Sequence, residues 1–147
     1  MKNLMLLTLA IVSVCTFSSC KKEETKTKTK AEILTQKAWV MAKYEEKAGT
    51  APWVDDFPNF DACDKDDQYV FRANGTYEIN EGATKCDPTD PQVFASGNWT
   101  LKNGDTILDF DGEDFNLDQL VENSLVISLQ ESIGGTTYQI RLSFRNL

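Results

Sequence analysis

The stretch "SGNWTLKNGDTILDF", Ser96–Phe110, decides how this chain is read. On both sides of Asn103-Gly104, apolar and polar residues alternate with the period of a strand, and Asn-Gly is the dipeptide best suited to a type I′ turn between antiparallel strands. A two-residue turn there pairs Leu101 with Thr106, Trp99 with Leu108 and Gly97 with Phe110. Asn98, Thr100, Ile107 and Asp109 then share the other side. The stretch is a hairpin with one face made for a core.

The same unit recurs upstream and downstream. At Asn74-Gly75 a two-residue loop would set Phe71 opposite Glu78 and mix the faces. A three-residue loop with Gly75 in the left-handed region instead pairs Phe71 with Tyr77 and Tyr69 with Ile79. Farther on, Leu125, Ile127 and Leu129 match Leu142, Ile140 and Tyr138 across Ser132–Gly135. Eight strands follow from this pattern: Ala38–Tyr44, Gln68–Arg72, Thr76–Asn80, Phe94–Lys102, Thr106–Asp111, Phe115–Gln119, Ser124–Gln130 and Thr136–Arg145. A short helix over Ala31–Lys37 precedes them.

Eight sequential antiparallel strands, each with one apolar face, remove their exposed edges most simply by closing on themselves. The expected fold is all-β, an eight-stranded antiparallel up-and-down barrel with a short N-terminal helix; an open two-sheet β-sandwich is the alternative. Leu34 and Trp39 at the start, "FRANGTY" at Phe71–Tyr77, a cysteine in the following loop, "SGNWTL" at Ser96–Leu101 and a final "YQIRLSF" together resemble the small lipocalin-like domains of bacterial lipoproteins. The resemblance spans Glu32–Phe144. It implies a lipocalin-like meander that holds a small apolar ligand. Inward-facing Trp39, Tyr69, Phe71, Tyr77, Trp99, Phe110, Ile127, Tyr138 and Ile140 are the expected ligand-binding residues, and the same side chains are large enough to fill the interior instead.

Before the domain the chain changes character abruptly. Lys2 followed by the apolar run Leu4–Val14 reads as a signal peptide over residues 1–19. The junction at Cys20 resembles the lipobox of bacterial lipoproteins, which implies lipidation of Cys20 and anchoring in a membrane. Residues 20–30, with no large apolar side chain, read as a disordered polar tether, and residues 31–147 as the barrel domain. The expected location is the outer membrane of the cell envelope, lipid-anchored, with the periplasmic and the cell-surface face both open.

Charge and cysteine content narrow the partners. Beyond residue 30 the chain carries 9 basic and 21 acidic residues, a net charge of −12. A domain of that charge is repelled by phosphate backbones, so no nucleic-acid partner is expected. With Cys15 in the signal peptide and Cys20 lipidated, Cys63 and Cys86 remain for a disulfide in an oxidising compartment. They lie eleven residues on either side of Asn74-Gly75, so a folded hairpin brings them together.

Connections alternate between the two ends of a meander. The long links 45–67 and 81–93 fall at one end and carry most of the acids, among them Asp64, Asp66, Asp67 and Glu81; the tight turns and the tether fall at the other. "DACDKDD" lacks the spacing of a calcium-binding loop. The chain has no histidine, and no nucleophile elbow, phosphate loop or dinucleotide fingerprint is present. The expectation is a binding protein and not an enzyme, without cofactor or metal. Arg72, Arg141 and Arg145 fall on polar faces, so neutral or cationic apolar ligands are expected over fatty acids. The alternative is a filled barrel whose acidic loops bind another protein or the envelope matrix.

Overall fold

The structure is a computed structural model that describes residues 26–147. The expected signal peptide, Cys20 and the first half of the expected tether lie outside the described residues. One helix, α1 (Lys30–Leu34), is followed by ten strands: β1 (Trp39–Ala48), β2 (Val54–Asp55), β3 (Gln68–Phe71), β4 (Thr76–Asn80), β5 (Val93–Asn98), β6 (Thr100–Lys102), β7 (Ile107–Phe110), β8 (Glu113–Val121), β9 (Ser124–Ile133) and β10 (Thr136–Asn146). Short 3₁₀ turns occupy Phe57–Asn59 and Asp64–Asp66.

The strands form one antiparallel sheet in the order β5-β4-β3-β1-β10-β9-β8-β7-β6, with β2 added to β1. Pairing of β1 with β10 joins the start of the meander to its end. The two edge strands, β5 and β6, are consecutive in the chain and separated only by Trp99, so the chain itself spans the remaining gap and the sheet is a nearly closed barrel. The expected eight strands are thus ten. Phe94–Lys102 is two strands, because β5 bonds to β4 and β6 to β7. An alternating pattern shows which face is apolar but not where a strand changes partner. The tenth is the two-residue β2, too short to leave a periodic signal.

Register follows turn geometry. The β3–β4 hairpin is as expected, with Phe71 opposite Tyr77 and Tyr69 opposite Ile79, and Gly75 has φ of 86°. Two other hairpins are shifted. In β6–β7 Leu101 faces Leu108 and Lys102 faces Ile107, because Asn103, Gly104 and Asp105 all adopt positive φ and make a longer turn. In β9–β10 Ile127 faces Leu142 and Thr136 faces Ile133, around a tight Gly134-Gly135 turn. Both shifts are of two residues, so every side chain keeps its face.

The helix is shorter than Ala31–Lys37. It starts with a capping box, the Glu32 amide on Thr29 Oγ1 at 3.1 Å and the Thr29 amide on Glu32 Oε2 at 2.7 Å, which orders the last residues of the expected tether. Leu34 beneath it is fully buried, and its carbonyl accepts the Trp39 indole N–H at 2.9 Å. Lys30 donates to the Asp105 carbonyl and Lys28 to the Glu122 carboxylate. Both acceptors lie in tight turns, so the helix seals that end of the barrel and the incoming chain is held there.

Candidate functional site

The nine residues expected to line a ligand site separate into two groups. Trp39, Phe71, Tyr77, Phe110 and Ile127 are buried, and Tyr69 and Trp99 pack against them. Their rings interlock: Phe71 lies 5.3 Å from Phe110 and 5.9 Å from Trp99, Tyr77 lies 5.5 Å from Phe110, and Tyr69 lies 5.0 Å from Phe144, all edge to face. Together with Leu108 and Leu125 they fill the interior. Tyr138 and Ile140 line a cavity.

That cavity is a cleft of about 400 Å³ at the end away from α1, walled by Glu46, Ala48, Ala51, Pro52, Val54, Tyr138 and Ile140, with Lys47 and Gln139 at its margin. Register explains how it forms. A bulge between Met41 and Lys43 resets β1, after which Tyr44 faces Leu142, Glu46 faces Ile140 and Ala48 faces Tyr138. Leu142 packs on the core, so this row continues the inward face beyond the filled interior. Val54, paired with Glu46, adds a second wall. Small residues on β1 and its loop leave the space that Tyr138 and Ile140 border.

The charges around the cleft are sorted by the same alternation. Glu46 stands on the side that borders the cleft and is exposed to solvent. Glu45 lies on the opposite side of the strand, where it is buried and held by Arg141, whose Nε and one terminal nitrogen each lie 2.9 Å from Oε2. The Arg141 guanidinium lies 4.4 Å and the Lys47 ammonium 4.9 Å from the Trp53 ring centre, so both cations are drawn to that indole. Arg72 pairs with Glu78 at 2.6 Å, on the outer face. The outward placement of the arginines is as expected.

Sequence reasoning missed Glu46, Ala48, Ala51, Pro52 and Val54. It ended the first strand at Tyr44, where an acidic pair interrupts the apolar alternation. The available signal was the "AGTAPWV" segment at Ala48–Val54, small and apolar where the neighbouring loops are acidic.

At the other side of the mouth the disulfide Cys63–Cys86 joins the loops on either side of β3–β4, with Cα atoms 5.2 Å apart. Beside it Asp66 accepts the amides of Ala83 and Thr84 at 2.9 and 3.0 Å and the Thr84 hydroxyl at 2.7 Å. These bonds, the Thr84 hydroxyl foremost, hold its carboxyl below the usual range. Asp67 next to it behaves oppositely. Burial, and then the nearby Glu81, Asp64 and Asp66, push its carboxyl up to about 7. Tyr77 donates to Asp111 at 2.8 Å and, mainly through burial, is pushed up to about 12. The acids of the mouth are therefore not a uniform solvated rim: some are used as loop fasteners.

Comparison with protein families gives a match over residues 35–147 to a family described as a lipocalin-like domain. Comparison with curated proteins gives no match.

Proposed function

Because this chain belongs to the lipocalin-like domain family, we propose that it is a lipid-anchored, non-enzymatic binding protein of the cell envelope that holds a small apolar ligand, neutral or cationic, in the cleft at its mouth. The observation that carries this reading is the cleft itself: about 400 Å³, within the size range of small-molecule sites, on the inward face of a barrel otherwise filled by its own side chains. Its walls are mainly apolar. Its charged wall residue is Glu46, while the Lys47 ammonium is engaged by Trp53. A ligand carboxylate placed against Glu46 meets repulsion and no internal cation; an ammonium meets a partner.

A lipid anchor at Cys20 fits the same reading. Lys28 and Lys30 fasten the chain leading to Cys20 at the sealed end, so a lipid at Cys20 leaves the cleft facing away from the membrane, on its periplasmic or cell-surface side. The filled interior favours a second reading, in which the disulfide-stapled acidic loops bind a protein or matrix partner.

The test is displacement of a fluorescent apolar probe from the purified domain by a long-chain amine, the matching alcohol and the matching fatty acid at neutral pH. Amine and alcohol are expected to displace it at lower concentration than the acid, and Ile140→Arg to abolish probe binding while the fold persists. Tightest binding by the fatty acid would overturn the ligand class. Probe binding unchanged in Ile140→Arg would remove the cleft as the site.

A further inference from the structure

We infer that Asp67, set against Glu81, is a proton-holding carboxyl that fastens the loops of the barrel mouth, closed when Asp67 carries a proton and loosened when Asp67 is ionised. The placement comes from the β3–β4 ladder. Its last pair at the mouth is Gln68–Asn80, and one step further sets Asp67 opposite Glu81. By strand alternation they share the face of Tyr69 and Ile79, which is the core face. Two carboxyls thus stand side by side on the last inward layer of a hairpin.

Glu81 is a buried residue and Asp67 a half-buried one. Glu81 is 8% exposed, and among the described residues its carboxylate has no hydrogen-bond or ion-pair partner. Asp67 Oδ1 is fully buried and likewise without a partner. An orphaned carboxylate oxygen beside a second carboxylate is costly, and a single proton resolves both problems. Bound to Asp67, it turns a buried acceptor into a donor; on release it passes to solvent and leaves a charged carboxylate beside Glu81 with one oxygen buried and unpaired.

The surroundings supply no cation instead. Asp64 and Asp66 in the preceding 3₁₀ turn add negative charge to Asp67, as does Glu81, while Tyr69 on the same strand stays protonated, pushed up to about 12. Asp111, from the β7–β8 turn, also acts on Tyr69. The nearest lysines of these loops are turned elsewhere: Lys65 donates to the Pro58 carbonyl and Lys85 to the Asp90 carbonyl. A shared metal ion does not fit either. The one set of three or more potential ligands close enough to share an ion, among the described residues, is Cys63, Asp64 and Cys86, and its two cysteines are spent in the disulfide.

The pair sits below the contacts that hold the two loops together. Asp66 on one loop grips Ala83 and Thr84 on the other, and Cys63–Cys86 links them covalently. Repulsion between Asp67 and Glu81 acts against the first and is limited in extent by the second. The sign is fixed by linkage. The folded-state value of Asp67 lies above the unfolded one, so its contribution to stability is complete below the ordinary carboxylate range and is lost as pH rises through about 7.

The experiment is hydrogen exchange of the oxidised full-length protein across residues 56–67 and 81–92 between about pH 5 and about pH 8, corrected for the intrinsic pH dependence of exchange. Wild type is expected to lose protection in these loops about ten-fold as pH rises, with β9 and β10 unchanged. Asp67→Asn is expected to abolish that dependence and Glu81→Gln, which removes a neighbouring carboxylate but not the burial, to shift it to lower pH; the second variant keeps the test if the first does not fold. Loops equally protected at both pH values in wild type would overturn the inference. So would protection restored at high pH by millimolar calcium and lost in the same two variants, which would make the pair a metal site.

Discussion

The indole nitrogen of Trp99, the residue between the edge strands β5 and β6, donates to the carbonyl of Arg72 at 2.9 Å. The Trp99 amide also reaches the Gly75 carbonyl at 2.8 Å, so one residue ties the β5–β6 break to the β3–β4 turn. Trp99→Phe keeps a ring against Phe71 and removes the side-chain bond, which is expected to cost about 1 kcal/mol. Trp99→Ala also empties the space beside Phe71 and is expected to cost about 3 kcal/mol or more. Urea denaturation of the two variants checks the difference; equal losses would mean that the seam is held by packing elsewhere.

Gly82 and Gly49 both adopt φ near 60°, 58° and 55°, yet they should respond differently to alanine. A Cβ on Gly82 would run into the Asp66 carbonyl oxygen, whereas one on Gly49 meets open space. Gly49→Ala is expected to lose only the left-handed backbone penalty, about 1 kcal/mol, and Gly82→Ala clearly more. Thermal melts of both variants at one pH decide it.

The Cys63–Cys86 bridge spans 23 residues of chain and lies at the mouth, away from the core. Cys63→Ser with Cys86→Ser is expected to lower stability by about 3 kcal/mol through the freed unfolded chain and to leave the barrel folded. Denaturant midpoints and far-ultraviolet dichroism of oxidised protein and variant provide the comparison.

Cys20 lies outside the described residues, and its prediction rests on sequence. Cys20→Ala is expected to leave the precursor uncut and move the protein out of the membrane fraction, which immunoblotting of cell fractions reads directly. A wild-type mature N-terminus at another residue would contradict the anchor.

The hairpin faces were legible because a two-residue period survives errors of register. Leu101, Leu108, Ile127 and Leu142 were placed on the core side although the turns beside them were assigned the wrong length. Turn length itself depends on φ at Asn103, Gly104 and Asp105, and three residues that each tolerate the left-handed region permit several turns. The β3–β4 turn was legible because only one loop length kept Phe71, Tyr77, Tyr69 and Ile79 together.

The sequence by itself determined an antiparallel β-domain with one apolar face per strand, a cysteine pair across the β3–β4 hairpin and arginines on the outside, because alternation and local spacing encode these. Tertiary structure alone decided that the interior is filled, that the open space lies at Glu46–Val54 beside Tyr138 and Ile140, and that Asp67 and Glu81 face inward while Asp66 grips the opposite loop. These depend on how aromatic volumes add up around a closed sheet, on one bulge in β1, and on which loops fold over which carboxylates. Such sums over distant residues leave no mark on any local pattern.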